Sequence, residues 1–344
     1  MKTMMLTGIR KMQMMEEPLP IIKNENEVLI RMKTVGVCGS DIHYYTQGKI
    51  GSQIVEYPFA VGHEGAGIVE KTGRKVTVLK PGDRIAIEPA MPCFYCDQCR
   101  AGRHNTCRRL KFLGCPGQAS GCLSEYIVMP ESSCLKIPDS MSFDEAAISE
   151  PLAIGLYAVK QAGDIKTANA AILGFGPVGM SVMLCFNAFG GGSVFVTDKI
   201  AERIKIAQST GAIFTGNPDA EDIIKTGLQK IEEGFDIVFE CCGKQEAIDQ
   251  AVELVKPGGK IMIVGIPEFE SWSFKADIIR RKEVTFMNIR RQNHCAEEAL
   301  ELIALKKTDV SRMPTHRFKF EDTREAFELV SGYQDGVMKA MIEI

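Results

Sequence analysis

Asn169-Ala170-Ala171-Ile172-Leu173-Gly174-Phe175-Gly176-Pro177-Val178-Gly179 is an apolar run that ends in three glycines spaced G-x-G-x-x-G. A helix-forming stretch over 180–189 follows, then the strand-forming run Val194-Phe195-Val196-Thr197, and then Asp198, 19 residues after Gly179. Glycine-rich turns arise for many steric reasons, including a tight strand-to-helix turn that binds nothing. Here the triplet stands at a strand-to-helix junction with an acid closing the next strand, which is the full pattern of a dinucleotide-binding βαβ unit. The glycines permit the turn and let a pyrophosphate approach N–H groups at the helix N-terminus, where the helix dipole favours negative charge. Asp198 is then placed to accept hydrogen bonds from an adenosine ribose.

Around this motif, apolar strands at 170–173, 193–197, 236–240 and 260–265 alternate with helical segments, so 151–290 reads as a doubly wound parallel sheet with helices on both faces. Residues 1–150 have a different texture. Short β-type runs such as Glu27-Val28-Leu29-Ile30-Arg31-Met32 and Arg84-Ile85-Ala86-Ile87 are separated by turn clusters such as Lys80-Pro81-Gly82-Asp83, which predicts an irregular β domain. The last stretch, 291–344, carries a predicted helix over 296–305, an extended segment over 316–320 and a second helix through 326–330, and is expected to complete the first domain. Two domains also suit a chain of 344 residues. No internal repeat or low-complexity segment is evident.

Composition narrows the functional classes. Apolar residues make up 45% and charged residues 25%, the balance of a chain that folds. A formal net charge of −3, with scattered Lys and Arg, gives no electrostatic footprint for nucleic acid. No stretch has the apolar length of a membrane span, and the Met-rich start is interrupted by Arg10 and Lys11, unlike a signal peptide. A cytoplasmic location is therefore expected, and there the twelve cysteines would stay reduced, serving as metal ligands or buried thiols.

Spacing separates those two uses. Cys93-x2-Cys96-x2-Cys99-x7-Cys107 gathers four thiols within 15 residues, as a closed tetrahedral zinc site requires. An iron–sulfur run would place its fourth cysteine closer and follow it with proline. A zinc held by four cysteines has no open position, so its role is structural. Cys115, Cys122, Cys134, Cys185, Cys241, Cys242 and Cys295 lack ligand spacing and read as buried thiols.

Two further segments, Gly36-Val37-Cys38-Gly39-Ser40-Asp41-Ile42-His43 and Gly62-His63-Glu64-Gly65-Ala66-Gly67, lie about 25 residues apart in the β domain. Taken singly, each of their polar residues has a bland structural explanation. Together with the cysteine lobe and the glycine fingerprint, the chain resembles the zinc-containing medium-chain dehydrogenases over essentially its whole length. The zinc signature of that family stands here as Gly62-His63-Glu64-x2-Gly67-x5-Gly73-x2-Val76. Within the family, Gly36 to Tyr45, Gly48-Lys49-Ile50-Gly51, Ile87-Glu88-Pro89 and Glu150-Pro151-Leu152-Ala153 look most like the sorbitol (L-iditol) and xylitol dehydrogenases. Simple alcohol dehydrogenases carry a zinc-binding cysteine where this chain has Ser149-Glu150-Pro151.

The resemblance implies a GroES-like zinc-binding catalytic domain over 1–150, completed by 291–344, and a Rossmann NAD-binding domain over 151–290. It implies two zinc ions per chain and NAD as cofactor. Cys38, His63 and Glu64 would hold the catalytic zinc, with Glu150 orienting water and substrate beside it or exchanging as a ligand. A count of charges favours the orienting role, because Cys38 and one Glu already balance the dication. Ser40 and His43 would carry the proton away from a zinc-acidified alcohol, and the carbinol hydrogen would pass as hydride to NAD. Tyr44 and Arg290 match substrate-contacting positions. Gly174, Gly176, Val178, Gly179, Asp198, Arg203, Val264, Gly265, Ile266, Asn288, Ile289 and Arg290 match cofactor-contacting positions.

The implied activity is oxidation of a secondary hydroxyl of a small polyol to a ketose, by a homotetramer. Arg290 is followed by Arg291, where the sorbitol enzymes usually carry an aromatic residue, and this leaves the individual polyol open. Two other readings are an L-threonine 3-dehydrogenase or related zinc-dependent secondary alcohol dehydrogenase, and a non-catalytic NAD-binding structural protein. The presence of Cys38, His63 and Glu64 argues against the last.

Overall fold

Strand Glu27–Gly36 is buried along most of its length and lies inside a seven-stranded sheet. Its apolar residues Val28, Leu29, Ile30, Met32 and Val35 all enter the core. The main path of the sheet runs Cys134–Lys136, Arg84–Ile87, Glu64–Thr72, Glu27–Gly36, Lys339–Glu343, Pro314–Lys319, and Tyr126–Pro130 also pairs with Glu27–Gly36. All of these pairings are antiparallel except the last pair on the path, Pro314–Lys319 with Lys339–Glu343. Register brings three distant parts of the sequence side by side: Gly36 faces Glu64 on one neighbour and Met341 on the other.

The computed structural model describes residues 1–344 and divides into two compact units. The first comprises Met1–Glu150, Ala296–Lys306 and Met313–Ile344, and it contains the antiparallel sheet. Its core gathers residues from both ends of the chain, among them Leu6, Ile30, Val61, Ile85, Phe327 and Ile342.

The second unit comprises Pro151–Cys295 and Lys307–Arg312. Its six strands are all parallel, in the order Phe214–Gly216, Val194–Thr197, Ala170–Leu173, Phe235–Glu240, Val255–Ile263, Thr285–Asn288. Numbered within the unit this is 3-2-1-4-5-6, the doubly wound Rossmann order expected from the sequence. Strand order reverses between Ala170–Leu173 and Phe235–Glu240, so the crevice beyond their carboxyl ends is the ligand position of this architecture.

Local boundaries differ from the expectations for identifiable reasons. The helix after the glycine turn begins at Pro177 rather than 180, because proline's fixed φ suits a first helical turn and its missing N–H is not needed there. The strand expected over 260–265 begins at Val255, with a register irregularity that accommodates Pro257-Gly258-Gly259. The division between units falls within helix Phe143–Ala162, which contains Pro151, rather than in a linker. No helix is long and apolar enough to cross a membrane.

Candidate metal centre and dinucleotide site

Helix Gly39–Gln47 starts where strand Glu27–Gly36 leaves the sheet, and Cys38 is its N-cap. The Cys38 N–H donates to Asp41 Oδ2 at 3.2 Å, satisfying the chain before the first turn with an acid three residues on. The other Asp41 oxygen accepts the Gly62 N–H at 3.2 Å and lies 3.4 Å from His63 Nδ1. One buried carboxylate therefore fixes both the Cys38 corner and the His63 ring.

Cys38, His63 and Glu64 each bring a donor atom within 4.8 Å of the other two. Sulfur, imidazole and carboxylate together suit Zn²⁺. Burial by itself would lower the His63 pKa, yet the charges of Asp41 and Cys38 raise it well above its ordinary value. The surroundings of the ring thus favour positive charge, as a metal site requires. Glu150 is buried in the same unit, and its Oε2 has no hydrogen-bond partner. Burial pushes its pKa up to about 8, His63 opposes the rise, and Glu64 and Glu88 add to it. An orphaned buried oxygen of this kind is costly unless a ligand donates to it. These residues fit a zinc ion with substrate or water beside it.

Glu64 has a second partner. Both of its carboxylate oxygens accept from Lys339 Nζ, at 2.6 and 2.7 Å, and Lys339 also donates to the Val37 carbonyl at 3.2 Å. The two side chains are 1% and 2% exposed, and removing one member of so deeply buried a pair typically costs about 3–5 kcal/mol. Neither Asp41 nor Lys339 stands out as a site residue in the sequence. The signals are visible in retrospect: Cys-x2-Asp is a capping pattern, and Lys339 is the one charge inside Val337-Met338-Lys339-Ala340-Met341-Ile342.

The remaining residues singled out in this unit are distributed unevenly. Ser40 Oγ donates to Cys38 Sγ at 3.4 Å. His43, on the next turn of the helix, is half-buried. Tyr44 is buried, with its hydroxyl 3.3 Å from Gln53 Oε1 and 3.7 Å from Cys115 Sγ.

The lobe cysteines converge. Cys93, Cys96, Cys99 and Cys107 lie within 4.8 Å of one another, with sulfur separations of 4.0 Å for Cys93 to Cys99 and 3.9 Å for Cys96 to Cys107. A disulfide needs about 2.05 Å. The edge of a tetrahedron with zinc–sulfur bonds of about 2.3 Å is about 3.8 Å, so these separations fit a closed zinc site. Backbone N–H groups of Cys99 and Arg108 draw the Cys96 thiol down to about 6, which favours the ligating thiolate.

In the parallel-sheet unit, Gly174 has φ of +93° and Gly179 packs so tightly that a Cβ would lie 2.1 Å from the Gly174 carbonyl oxygen. Only glycine serves at either position, and the result is a cradle of open backbone at the start of helix Pro177–Ala188. Asp198 is buried at the end of its strand, accepting the Phe175 N–H at 2.7 Å and the Ile200 N–H at 2.8 Å. Its oxygens retain lone pairs for a ribose. Arg203 is also buried, 4.0 Å from Asp198 and beside Gly176. Val178 is half-buried on the first helical turn. Val264, Gly265 and Ile266 follow strand Val255–Ile263, and Asn288, Ile289 and Arg290 close and follow strand Thr285–Asn288, so all six lie at carboxyl ends of the parallel sheet. The Ile289 N–H donates to the Ile263 carbonyl at 2.8 Å, tying these two ends together. Arg290 is exposed. The whole set fits a dinucleotide.

The chain is also similar to known proteins. Residues 24–139 match the family model for the alcohol dehydrogenase GroES-like domain, and residues 177–305 match that for zinc-binding dehydrogenase. The chain is 35% identical to sorbitol dehydrogenase of Bacillus subtilis (strain 168), covering 99% of this chain and 97% of the relative. It is likewise 35% identical to D-xylulose reductase of Saccharomyces cerevisiae, covering 94% and 92%. Among solved structures, an Escherichia coli oxidoreductase/dehydrogenase of unknown specificity involved in membrane biogenesis aligns with a TM-score of 0.94 and 33% identity, over 100% of this chain and 99% of that one. The sheet order, the two clusters of metal donors and these matches along nearly the whole length lead to one conclusion: the chain belongs to the zinc-binding medium-chain alcohol dehydrogenase family.

Proposed function

We propose that the protein is an NAD-dependent polyol dehydrogenase that oxidises a secondary hydroxyl of a sorbitol- or xylitol-like substrate to the ketose. The observation that carries this reading is the buried trio Cys38, His63 and Glu64, together with the unpartnered Glu150 Oε2. The likeness to sorbitol dehydrogenase and D-xylulose reductase supports the substrate class.

In this reading the unit of Met1–Glu150, Ala296–Lys306 and Met313–Ile344 forms the catalytic domain and that of Pro151–Cys295 with Lys307–Arg312 the nucleotide domain, so 291–295 and 307–312 go with the nucleotide domain and not with the catalytic one as expected. Cys38, His63 and Glu64 hold the catalytic zinc, and Cys93, Cys96, Cys99 and Cys107 the structural one. Zinc supplies a Lewis acid that acidifies the substrate hydroxyl, and NAD a two-electron acceptor for the carbinol hydrogen. Glu150 accepts a hydrogen bond from a substrate hydroxyl or water through Oε2, orienting it toward the metal donors. Ser40 and His43 pass the released proton toward solvent, Ser40 turning its hydroxyl away from the Cys38 sulfur to do so. Tyr44 and Arg290 contact further hydroxyls. The glycine cradle and Val178 take the pyrophosphate, Asp198 the adenosine ribose, and Arg203, Val264 to Ile266 and Asn288 to Arg290 the rest of the cofactor. The enzyme works as a homotetramer in the cytoplasm, a setting that suits its twelve free cysteines.

The test is NADH formation from a panel of polyols, simple primary and secondary alcohols, and L-threonine. The highest kcat/KM is expected on a polyol carrying a secondary hydroxyl. Preference for threonine or a simple alcohol would overturn the substrate reading, and no turnover on any of them would overturn the activity.

A further inference from the structure

The Glu64 carboxylate does not point into the donor cluster alone. It crosses Gly36 of the neighbouring strand, where a Cβ would lie 2.4 Å from Oε2, and meets an ammonium delivered by the far neighbour of that strand. Glycine at 36 opens this passage, and the register of three strands sets its length. Lys339 is among the largest fully buried side chains of the protein, and its ammonium donates to Glu64 and the Val37 carbonyl, with the charges of Cys38 and Glu150 also acting on it. A lysine is almost never buried so completely unless its charge is matched, so the pair is a built feature.

The pairing changes the balance of charge. Cys38 thiolate, Glu64 and Glu150 would together bring three negative charges against a dication, and the Lys339 ammonium supplies the third positive charge. Among these groups the charges balance with both Glu64 and Glu150 ionised, which a count limited to the ligands overlooks.

We propose that Lys339 is a positioning residue of the metal centre: it holds Glu64 inside the donor cluster and competes with the metal ion for the same carboxylate. Glu64 is then a shared ligand, gripped less firmly by the metal than Cys38 and His63. The proposal rests on the zinc site assigned above. Two effects of removing Lys339 oppose one another. Loss of orientation weakens metal binding, as loss of an outer partner usually does. Loss of a competing cation, and of its repulsion with a dication at short range in a buried setting, strengthens it. The second is larger because Glu64 would be left with the metal as its only counter-charge.

The experiment compares zinc-loaded wild type, Lys339→Met, Lys339→Arg, Glu64→Gln and the double variant Glu64→Gln/Lys339→Met. Release of the labile zinc into a chromophoric chelator, thermal midpoints with and without that zinc, and the visible spectrum of the cobalt(II)-substituted proteins are measured. Lys339→Met should release zinc at least about tenfold more slowly than wild type and gain more thermal stability from zinc than wild type does. Its cobalt spectrum should shift, and Lys339→Arg should restore wild-type behaviour in each measurement. Equal release rates, equal zinc-dependent gains and an unchanged cobalt spectrum in Lys339→Met and wild type would reduce Lys339 to a structural partner. If Lys339→Met does not fold even with zinc, the double variant decides, because it leaves no unpaired buried charge. Release matching Glu64→Gln supports action through Glu64, and any other rate overturns it. Wild type holding only the lobe zinc would instead overturn the site assignment and the proposal with it.

Discussion

Asp41 Oδ1 lies 3.4 Å from His63 Nδ1 and 3.2 Å from the Gly62 amide, while its other oxygen accepts the Cys38 amide. The same carboxylate therefore sets the ring tautomer of one proposed zinc ligand and the backbone of another. Asp41→Asn preserves the shape but removes the charge and one acceptor. Zinc affinity measured by chelator competition is expected to fall about 10- to 100-fold, with kcat/KM falling alongside. Unchanged zinc affinity in Asp41→Asn would mean that the His63 ring is held by packing alone.

A second expectation concerns the cofactor. Asp198 is anchored by the Phe175 and Ile200 amides at the position where the adenosine ribose is proposed to bind. A carboxylate there would repel a 2′-phosphate, and each 1.4 kcal/mol of repulsion is worth about tenfold in binding. NAD should therefore be preferred over NADP by about a hundredfold or more in kcat/KM. Arg203 lies 4.0 Å from Asp198 and would be released by Asp198→Ser, which keeps an acceptor for the turn. That variant should shift preference toward NADP, and steady-state titrations with both cofactors measure it. Equal efficiency of the two cofactors in wild type would remove Asp198 from the ribose site.

The parallel-sheet unit was legible in the sequence because its signals are local. A strand, a glycine turn, a helix and an acid follow one another within 30 residues, and each later strand is a short apolar run. The cysteine lobe was legible for the same reason, four thiols within 15 residues. Lys339 was not, because it acts on Glu64 from 275 residues away and only the pairing of three strands brings them together. Charge arithmetic on Cys38, Glu64 and Glu150 omitted it for that reason. The helix through Glu150 was also hidden, since Pro151 reads as a break while the observed helix continues from Phe143 to Ala162.

The lobe gives a third prediction. Four sulfurs at tetrahedral separations leave no exchangeable position, so fully loaded protein should contain two zinc ions per chain, one labile and one resistant to chelators. Cys99 is one of the two buried corners of the lobe and lies within its short helix Asp97–Arg100. Cys99→Ser should lose the resistant zinc and lower the thermal midpoint, with the labile zinc retained. Elemental analysis of the active protein checks the count, and a single zinc per chain in fully active enzyme would be incompatible with it.

The sharpest contrast should come from His63→Ala and Glu150→Gln made side by side. His63 is a proposed ligand, and its removal leaves Cys38 and Glu64 too few to hold zinc firmly, so the labile ion and turnover should both be lost. NAD binding should persist in that variant, because Gly174 to Asp198 belong to the other compact unit. Glu150→Gln preserves volume in a buried position but exchanges a carboxylate for an amide at the atom that has no partner within the protein. If Oε2 serves substrate or water rather than the metal, zinc content should stay near wild type while kcat/KM for a polyol falls about 10- to 100-fold. Zinc content, NAD affinity and steady-state kinetics on the two variants separate the roles. Near-normal activity in His63→Ala would remove it from the metal centre. Loss of the labile zinc in Glu150→Gln would make Glu150 a ligand in its own right, with the orienting role passing to another group.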